Sequence, residues 1–144
     1  MPSVLFVCLG NICRSPTAEM VLRARRPDFT PVRSAGTSAV GGSIDARAAR
    51  TLESAGIKTD RKFRSRQVES ADFERYDLII AMDSNNLANL LDMRPEGARA
   101  KVRLLLDFVP GMEGQDVPDP YYGPAQGFER VLALIERGVA ALPG

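Results

Sequence analysis

The clearest evidence for the fold lies near the N-terminus, where the sequence reads Val4-Leu5-Phe6-Val7-Cys8-Leu9-Gly10-Asn11-Ile12-Cys13-Arg14-Ser15-Pro16. Its first five residues form an unbroken apolar run, which is typical of a parallel strand buried on both faces. Ser15 and Pro16 have the residue types of a helix N-cap and of the first helical position, and Glu19 is favourably placed in the first turn. The stretch therefore predicts a strand, a short loop and a helix in direct succession.

The rest of the chain repeats this alternation of strand and helix. Further strands are predicted at 32–35, 77–82 and 102–106, and helices after Asp45, after Asp83 or Ser84, and at the C-terminus. In the last helix six apolar residues at helical spacing share one face: Phe128, Val131, Leu132, Ile135, Val139 and Leu142. The pattern predicts an α/β fold, a four-stranded parallel twisted sheet with helices on both faces. Ligands of such sheets bind beyond the carboxyl ends of the strands.

Length and composition limit the classes of protein that fit. The chain has 144 residues, 44% hydrophobic and 26% charged, which predicts a single globular domain over 1–144. The net charge of +1 gives no general attraction to nucleic acid or to an acidic membrane, so neither is expected as a partner. The apolar run at Val4–Cys8 is too short for a signal or a membrane span. With only two cysteines, we expect a cytoplasmic protein, present as a monomer or a weak dimer.

The chain contains no histidine, which excludes every catalytic mechanism that needs a histidine base or a histidine metal ligand. No Ser-His-Asp or Cys-His pair exists, and two cysteines without histidine cannot complete an ordinary structural zinc site. We therefore expect chemistry without a metal or another cofactor.

The loop between the first strand and its helix has the pattern Cys-x5-Arg, from Cys8 to Arg14. A loop that curls onto a helix N-terminus directs backbone N–H groups into one concavity, and the helix dipole adds positive potential. Gly10 and Asn11 tolerate the left-handed backbone that such a curl requires. Arg14 can hold two oxygens of a phosphate, and the same environment favours a thiolate on Cys8. We therefore predict that residues 9–15 bind phosphate and that Cys8 attacks phosphorus.

Two further residues of this loop allow more than one interpretation. Ser15 is either a simple N-cap or also a hydrogen-bond donor to the sulfur of Cys8. Cys13 is either a small packed residue or the partner of Cys8 in a reversible, inactivating disulfide.

A thiolate that displaces an alkoxide or phenolate needs a proton donor, and without histidine this donor is expected to be a carboxylic acid. Asp119 is the best candidate because Pro118 and Pro120 stiffen its loop. The alternative is a structural turn residue. Tyr121 and Tyr122 either belong to the core or line a cleft that stacks an aromatic leaving group.

The sequence from Val7 to Pro16 resembles the phosphate-binding loop of the low molecular weight protein tyrosine phosphatases. Later stretches are similar to that family's further motifs, in the same order: Ser34-Ala35-Gly36-Thr37, Ala81-Met82-Asp83 and Asp119-Pro120-Tyr121-Tyr122-Gly123. The resemblance covers essentially the whole chain and implies the flavodoxin-like fold of phosphotyrosine phosphatase I type.

The resemblance also implies roles for individual residues. Cys8 becomes the nucleophile, Arg14 the ligand of phosphate and transition state, and Asp119 the general acid and base. Asn11 and Ser15 become residues that order the loop and stabilise the thiolate. The residues that become cleft walls are Ile12, Tyr121 and Tyr122. The implied substrate is a phosphotyrosine-containing protein, and the product is inorganic phosphate.

The chain departs from many relatives in two respects. Residues 38–42 contain no aromatic side chain for the cleft, and no histidine lies in the outer part of the site. Arsenate reductases of this type need further cysteines after Cys13, which are absent. Protein-arginine phosphatases are similar but carry threonine at the position of Ile12. A non-catalytic phosphoprotein-binding module, which needs neither Cys8 nor Asp119, is the alternative from another class.

Overall fold

The computed structural model describes residues 2–144 and contains one parallel sheet. The elements follow in the order β1 (Val4–Cys8), α1 (Arg14–Arg25), β2 (Val32–Gly36), α2 (Ala46–Ser54), α3 (Asp72–Arg75), β3 (Leu78–Ala81), α4 (Ser84–Met93), β4 (Lys101–Leu104), a 3-10 helix (Leu105–Phe108) and α5 (Gln126–Ala140). The strand order is β2-β1-β3-β4, and all three pairings are parallel. The predicted α/β fold with a four-stranded parallel sheet is confirmed.

Strand β1 lies in the middle of the sheet, and all five of its residues are buried. Its even-numbered residues join the core between the sheet and helices α1 and α5, which includes Phe6. Leu5 and Val7 join a second core on the other face, with residues of α3 and α4. This two-sided burial explains why the strand is apolar without alternation.

Several predicted helix ends agree with the structure. Asp45 caps α2, accepting hydrogen bonds from the backbone N–H groups of Arg47 and Ala48. Asp83 caps α4 by accepting a hydrogen bond from the N–H of Asn86, which decides between the two predicted caps. All six apolar residues of the predicted C-terminal face are buried.

Two predictions about local structure are wrong. Helix α1 begins at Arg14 and its N-cap is Cys13, so Ser15 lies inside the helix and does not cap it. The hydroxyl of Ser15 instead forms a hydrogen bond with the sulfur of Cys8. The fourth strand ends at Leu104, and the apolar run continues as a 3-10 helix that buries both Leu105 and Leu106. A short apolar run cannot by itself distinguish a strand from a buried helical turn.

No helix within residues 2–144 is long and apolar enough to cross a membrane.

Candidate active site

The site lies at the carboxyl ends of the strands, where the topology predicts it. Cys8 is the last residue of β1, and the loop after it ends where α1 begins at Arg14. The loop after β3 contributes Asp83, and the long segment between the 3-10 helix and α5 contributes Asp119. Residues far apart in sequence therefore meet at one edge of the sheet.

The sulfur of Cys8 is almost inaccessible and is surrounded by polar hydrogens. Ser15 Oγ lies 2.9 Å from Cys8 Sγ, and the backbone N–H of Asn11 donates to the same sulfur at 3.3 Å. The N-terminus of α1 follows directly and adds the positive end of its dipole. The sulfur of Cys8 therefore faces a backbone N–H group and a hydroxyl, beside the positive end of a helix dipole.

Asn11 holds the loop in shape, as the sequence predicts. It is fully buried and has a φ of 57°, the left-handed conformation that asparagine tolerates. Its Nδ2 donates to the hydroxyls of Ser15 and Ser34, while its Oδ1 accepts from the backbone N–H of Arg66. Gly10 does not share this backbone conformation, so the prediction of two left-handed residues holds only for Asn11.

A glycine of β2 allows the loop to approach the sheet. A Cβ added at Gly36 would lie 2.6 Å from the carbonyl oxygen of Leu9 and 3.1 Å from the Cβ of Asn11. Only glycine fits between these groups without moving the loop. This close approach explains the glycine in the motif that follows Ser34 and Ala35.

The hydrogen bonds around Asn11 end on the buried carboxylate of Glu19, a residue for which the sequence predicted no role in the site. Ser34 donates its hydroxyl hydrogen to Glu19 Oε1 at 2.5 Å, and Glu19 also forms an ion pair with Arg23. Burial raises the pKa of Glu19, against the opposing effects of Ser34 and Arg23. Glu19 was expected in the first turn of α1, but the helix begins at Arg14 and its first turn holds no acidic residue. Helical spacing puts Glu19 one turn after Ser15, a weak signal that only the fold makes specific.

Arg14 is fixed by two groups that arrive from distant loops. Its Nη1 lies 2.6 Å from Asp83 Oδ2 and donates to the carbonyl oxygen of Val117 at 2.9 Å. Within residues 2–144 its Nη2 and Nε make no hydrogen bond, and Nη2 lies 3.7 Å from Asp119 Oδ2. The guanidinium is therefore oriented from one side and keeps donors for an anion on the other. The sequence predicted Asp83 as a helix cap and as part of the motif Ala81-Met82-Asp83, but it did not predict the contact with Arg14.

Asp119 lies across the cleft from the loop and is more open to solvent, with 44% of its side chain exposed. Its Oδ1 accepts the backbone N–H of Tyr121 at 3.0 Å, which fixes the carboxyl within its own turn. The other oxygen faces Arg14. The turn role and the role as proton donor are therefore compatible in one residue.

These residues line one cleft of about 270 Å³. Its walls contain most of the predicted site together with one unpredicted residue: Cys8, Leu9, Gly10, Ile12, Cys13, Arg14, Val40, Asp119, Tyr121 and Tyr122. Asn11 and Ser15 lie beneath the cleft. Val40 takes a wall position in the segment where an aromatic residue is missing, and it is 66% exposed. The two tyrosine rings meet edge to face at 4.9 Å.

A larger groove of about 790 Å³ runs between α2 and α5, but neither cysteine of the chain lines it. Its lining includes Arg50 and Glu129 but no cysteine. The smaller cleft at Cys8 is therefore the better candidate for the active site.

Cys13 is a free, buried thiol beside the cleft. Burial, followed by the charge of Asp45 and the proximity of Cys8, raises the pKa of Cys13 to about 12. Cys13 is therefore protonated at neutral pH.

Comparison with known proteins supports the resemblance found in the sequence. The sequence profile described as "Low molecular weight phosphotyrosine protein phosphatase" matches residues 3–143. The low molecular weight protein-tyrosine phosphatase A of Mycobacterium tuberculosis is 45% identical over 150 residues, covering 98% of this chain and 87% of that protein.

Solved structures agree. A protein tyrosine phosphatase from Entamoeba histolytica superposes with a TM-score of 0.88 at 39% identity, over 98% of this chain and 94% of that one. A Drosophila arginine phosphatase superposes with a TM-score of 0.86 at 32% identity, with the same coverage. The family and fold expected from the sequence are confirmed, and Cys8 and Arg14 occupy the motif positions. The chain therefore belongs to the low molecular weight phosphotyrosine protein phosphatase family, a family of enzymes that release inorganic phosphate from phosphoproteins.

Proposed function

We propose that Cys8 is the nucleophile of a two-step phosphotyrosine hydrolysis. In the first step the thiolate forms an S–P bond while the bond from phosphorus to the phenolic oxygen breaks. In the second step water attacks phosphorus, the S–P bond breaks, and inorganic phosphate leaves with the thiolate restored. The observation that carries the proposal is the position of Cys8 at the base of the cleft, with hydrogen-bond donors around its sulfur.

Arg14 and the loop N–H groups stabilise the phosphoryl group during transfer. The support for this role is the orientation of the guanidinium by Asp83 and Val117, which leaves Nη2 and Nε for phosphoryl oxygens. Donors that are already in position need no reorganisation when charge develops on those oxygens. The loop residues proposed to bind phosphate are those predicted from the sequence: Leu9, Gly10, Asn11, Ile12, Cys13, Arg14 and Ser15.

Asp119 acts first as acid and then as base. Its proton passes to the phenolic oxygen as the P–O bond breaks, and the resulting carboxylate accepts a proton from the attacking water. Support comes from its position on the cleft wall that faces Cys8, within 3.7 Å of Arg14. These steps use only groups of the chain and water.

The walls of the cleft favour an aryl phosphate. Ile12, Tyr121 and Tyr122 present apolar surface beside Cys8, which suits the ring of phosphotyrosine. The structural similarity to an arginine phosphatase makes phosphoarginine the second candidate substrate. Ile12, where such enzymes have threonine, favours tyrosine. Rates on both substrates for wild type and Ile12→Thr decide between them: a wild type that prefers phosphoarginine overturns the assignment.

The decisive experiment is release of p-nitrophenol from p-nitrophenyl phosphate at mildly acidic pH, with reductant and chelator present. We expect turnover by the wild type and none by Cys8→Ser, a substitution that keeps the shape of the side chain and removes the thiolate. Substantial turnover by Cys8→Ser would contradict the mechanism. A folded, reduced wild type without turnover would instead favour the phosphoprotein-binding module.

We further propose that the enzyme acts in the reducing cytoplasm and that a disulfide between Cys8 and Cys13 inactivates it reversibly. Both cysteines are free thiols, which is the state that the mechanism needs. Oxidation of Cys8 to a sulfenic acid, followed by attack of the Cys13 sulfur and loss of water, yields a disulfide that thiols reduce. Peroxide treatment tests this: we expect activity that reductant restores in the wild type but not in Cys13→Ser.

A further inference from the structure

Arg47, the second residue of α2, contacts both helix α5 and the segment that carries Asp119. Its guanidinium lies 4.6 Å from the ring centroid of Phe128 in α5 and 5.1 Å from that of Tyr121. Its Nη1 donates to the backbone carbonyl oxygen of Tyr121 at 3.0 Å. Arg47 therefore holds both the ring and the backbone of a residue two positions after Asp119.

The guanidinium is itself oriented by the cap of the same helix. Asp45 accepts hydrogen bonds from Nε and Nη2 of Arg47 at 3.2 and 3.0 Å. The backbone N–H of Asp45 donates to the carbonyl oxygen of Ile12 in the phosphate-binding loop at 2.9 Å. One helix end thus connects the loop that binds phosphate with the loop that carries Asp119.

The segment 119–123 has few attachments besides the burial of Pro120 and the contact of Asp119 with Arg14 at 3.7 Å. Before it, Val117 is fixed by hydrogen bonds with Met82 and Arg14. Within 119–123, the bond from Arg47 to Tyr121 is the one hydrogen bond from outside the segment among residues 2–144; the others are local. Asp119 therefore lies between an anchor at Val117 and an anchor at Tyr121.

We propose that Arg47 is a positioning residue for the proton donor Asp119. The proposal rests on the proposed function, in which Asp119 protonates the leaving group. Without the anchor on Tyr121 the segment gains freedom, and the carboxyl spends less time within reach of the leaving oxygen. Because proton transfer requires close contact, small displacements are sufficient to reduce it strongly.

This role has a signature that general damage to the fold lacks. A leaving phenolate of low basicity departs without a proton, whereas a basic one requires the acid. Loss of Arg47 should therefore lower kcat/KM for phenyl phosphate but hardly for p-nitrophenyl phosphate. Damage to the phosphate-binding loop would instead lower both equally.

The test measures kcat/KM on a series of aryl phosphates from p-nitrophenyl to phenyl phosphate. The variants are Arg47→Met, which keeps length and removes the hydrogen bonds, and Arg47→Lys, which keeps a donor. Arg50→Met is the matched control: Arg50 is an exposed arginine on the same helix, outside the cleft that contains Cys8. Asp119→Asn, alone and combined with Arg47→Met, completes the set.

We expect Arg47→Met to lose about tenfold on phenyl phosphate and less than about twofold on p-nitrophenyl phosphate. Arg47→Lys should recover part of the loss, and Arg50→Met should match the wild type. In the Asp119→Asn background Arg47→Met should add nothing, because the group that it positions is already gone.

Three results would overturn the proposal: equal loss on all leaving groups, no loss on phenyl phosphate, or full additivity with Asp119→Asn. A steeper dependence for Asp119→Asn together with a normal Arg47→Met would reject only the role of Arg47. A normal leaving-group dependence in Asp119→Asn would reject the acid assignment and the positioning role with it, while Cys8 remains tested by its own variant.

Discussion

The phosphate-binding loop and the segment 119–123 face each other across the cleft and are built in opposite ways. Asn11 and Ser15 of the loop are fully buried and share hydrogen bonds with the sulfur of Cys8 and with Ser34. Across the cleft, Tyr122 is 95% exposed, and one hydrogen bond from Arg47 holds the segment from outside. The phosphate-binding loop, residues 9–15, is therefore a rigid wall of the cleft. The segment 119–123 is an open wall with few attachments.

The difference matches what each wall meets during the reaction. The phosphoryl group is the same in every substrate, so donors fixed in advance stabilise its transfer without reorganisation. The leaving group differs between substrates and must enter and depart, which an open wall allows. Four substitutions test this division of roles, two at the reacting groups and two deeper in the loop's support.

The largest effect is expected at the rigid wall, from Arg14→Lys. Lysine keeps the charge but cannot bind Asp83 and two phosphoryl oxygens at once. We expect kcat/KM to fall about 10³-fold, by the same factor for all leaving groups. Steady-state kinetics on the aryl phosphate series measures it. A loss that grows with the basicity of the leaving group would show that Arg14 acts on the leaving group and not on the phosphoryl group.

At the open wall, Asp119→Asn should produce a selective loss. The amide oxygen can still accept the N–H of Tyr121, so the turn is retained while the acidic proton is removed. We expect kcat/KM to fall about 10²-fold for phenyl phosphate and only slightly for p-nitrophenyl phosphate. The thermal unfolding midpoint serves as the control for the turn. Equal losses on both substrates would show that Asp119 contributes something other than a proton.

The sequence predicts the rigid wall better than the open one, and the reason is distance along the chain. Strand, loop and helix around Cys8 are continuous, so residue types and spacing are sufficient to predict that Cys8, the backbone N–H groups of the loop and Arg14 lie in one concavity. The contact between Arg14 and Asp83 spans 69 positions and depends on the order of strands. The hydrogen bond from Arg47 to Tyr121 spans 74 positions. Nothing in the sequence around an arginine on an amphipathic helix indicates that it contacts a distant loop.

The errors have local physical causes. Ser15 has the residue type of an N-cap, but its hydroxyl contacts the sulfur of Cys8 and accepts a hydrogen bond from the amide of Asn11. The end of β4 was misplaced because Leu105 and Leu106 are apolar in either conformation. Gly138 of α5 provides space for Leu105, since a Cβ there would clash with its side chain.

A smaller effect is expected from Ser15→Ala, beneath the rigid wall. The variant removes the hydroxyl 2.9 Å from the sulfur of Cys8 and leaves Asn11 with one partner fewer. A hydrogen bond to a charged group contributes about 1.5–3 kcal/mol, so we expect kcat/KM to fall about 10- to 100-fold. Steady-state kinetics on p-nitrophenyl phosphate measures the loss. Ser54→Ala, on the exposed side of α2, is the control; an unchanged kcat/KM in Ser15→Ala would contradict a role of this hydroxyl at the sulfur of Cys8.

The smallest effect concerns the buried charge at the end of the loop's hydrogen bonds. Burial raises the pKa of Glu19 above its ordinary value of 4.5, even though Ser34, Arg23 and Arg33 act in the opposite direction. Above pH 4.5 the folded protein therefore holds this proton more tightly than the unfolded chain does. Wherever the folded state binds more protons, stability falls as pH rises.

Glu19→Gln removes this titration while keeping an acceptor for the hydroxyl of Ser34. We expect the free energy of unfolding of the wild type, relative to Glu19→Gln, to decrease as the pH rises from 4.5 towards neutrality. Urea denaturation of both proteins across this range measures the difference, and Glu136→Gln, at a partly exposed ion pair with Arg25, is the matched control. A relative stability that increases with pH would mean that the ion pair with Arg23 outweighs burial. The buried charge of Glu19 would then stabilise the rigid wall. We infer instead that the charge destabilises the fold and is kept for the orientation of Ser34. Because Glu19 accepts the hydroxyl hydrogen of Ser34, the Ser34 oxygen is free to accept a hydrogen bond from Asn11.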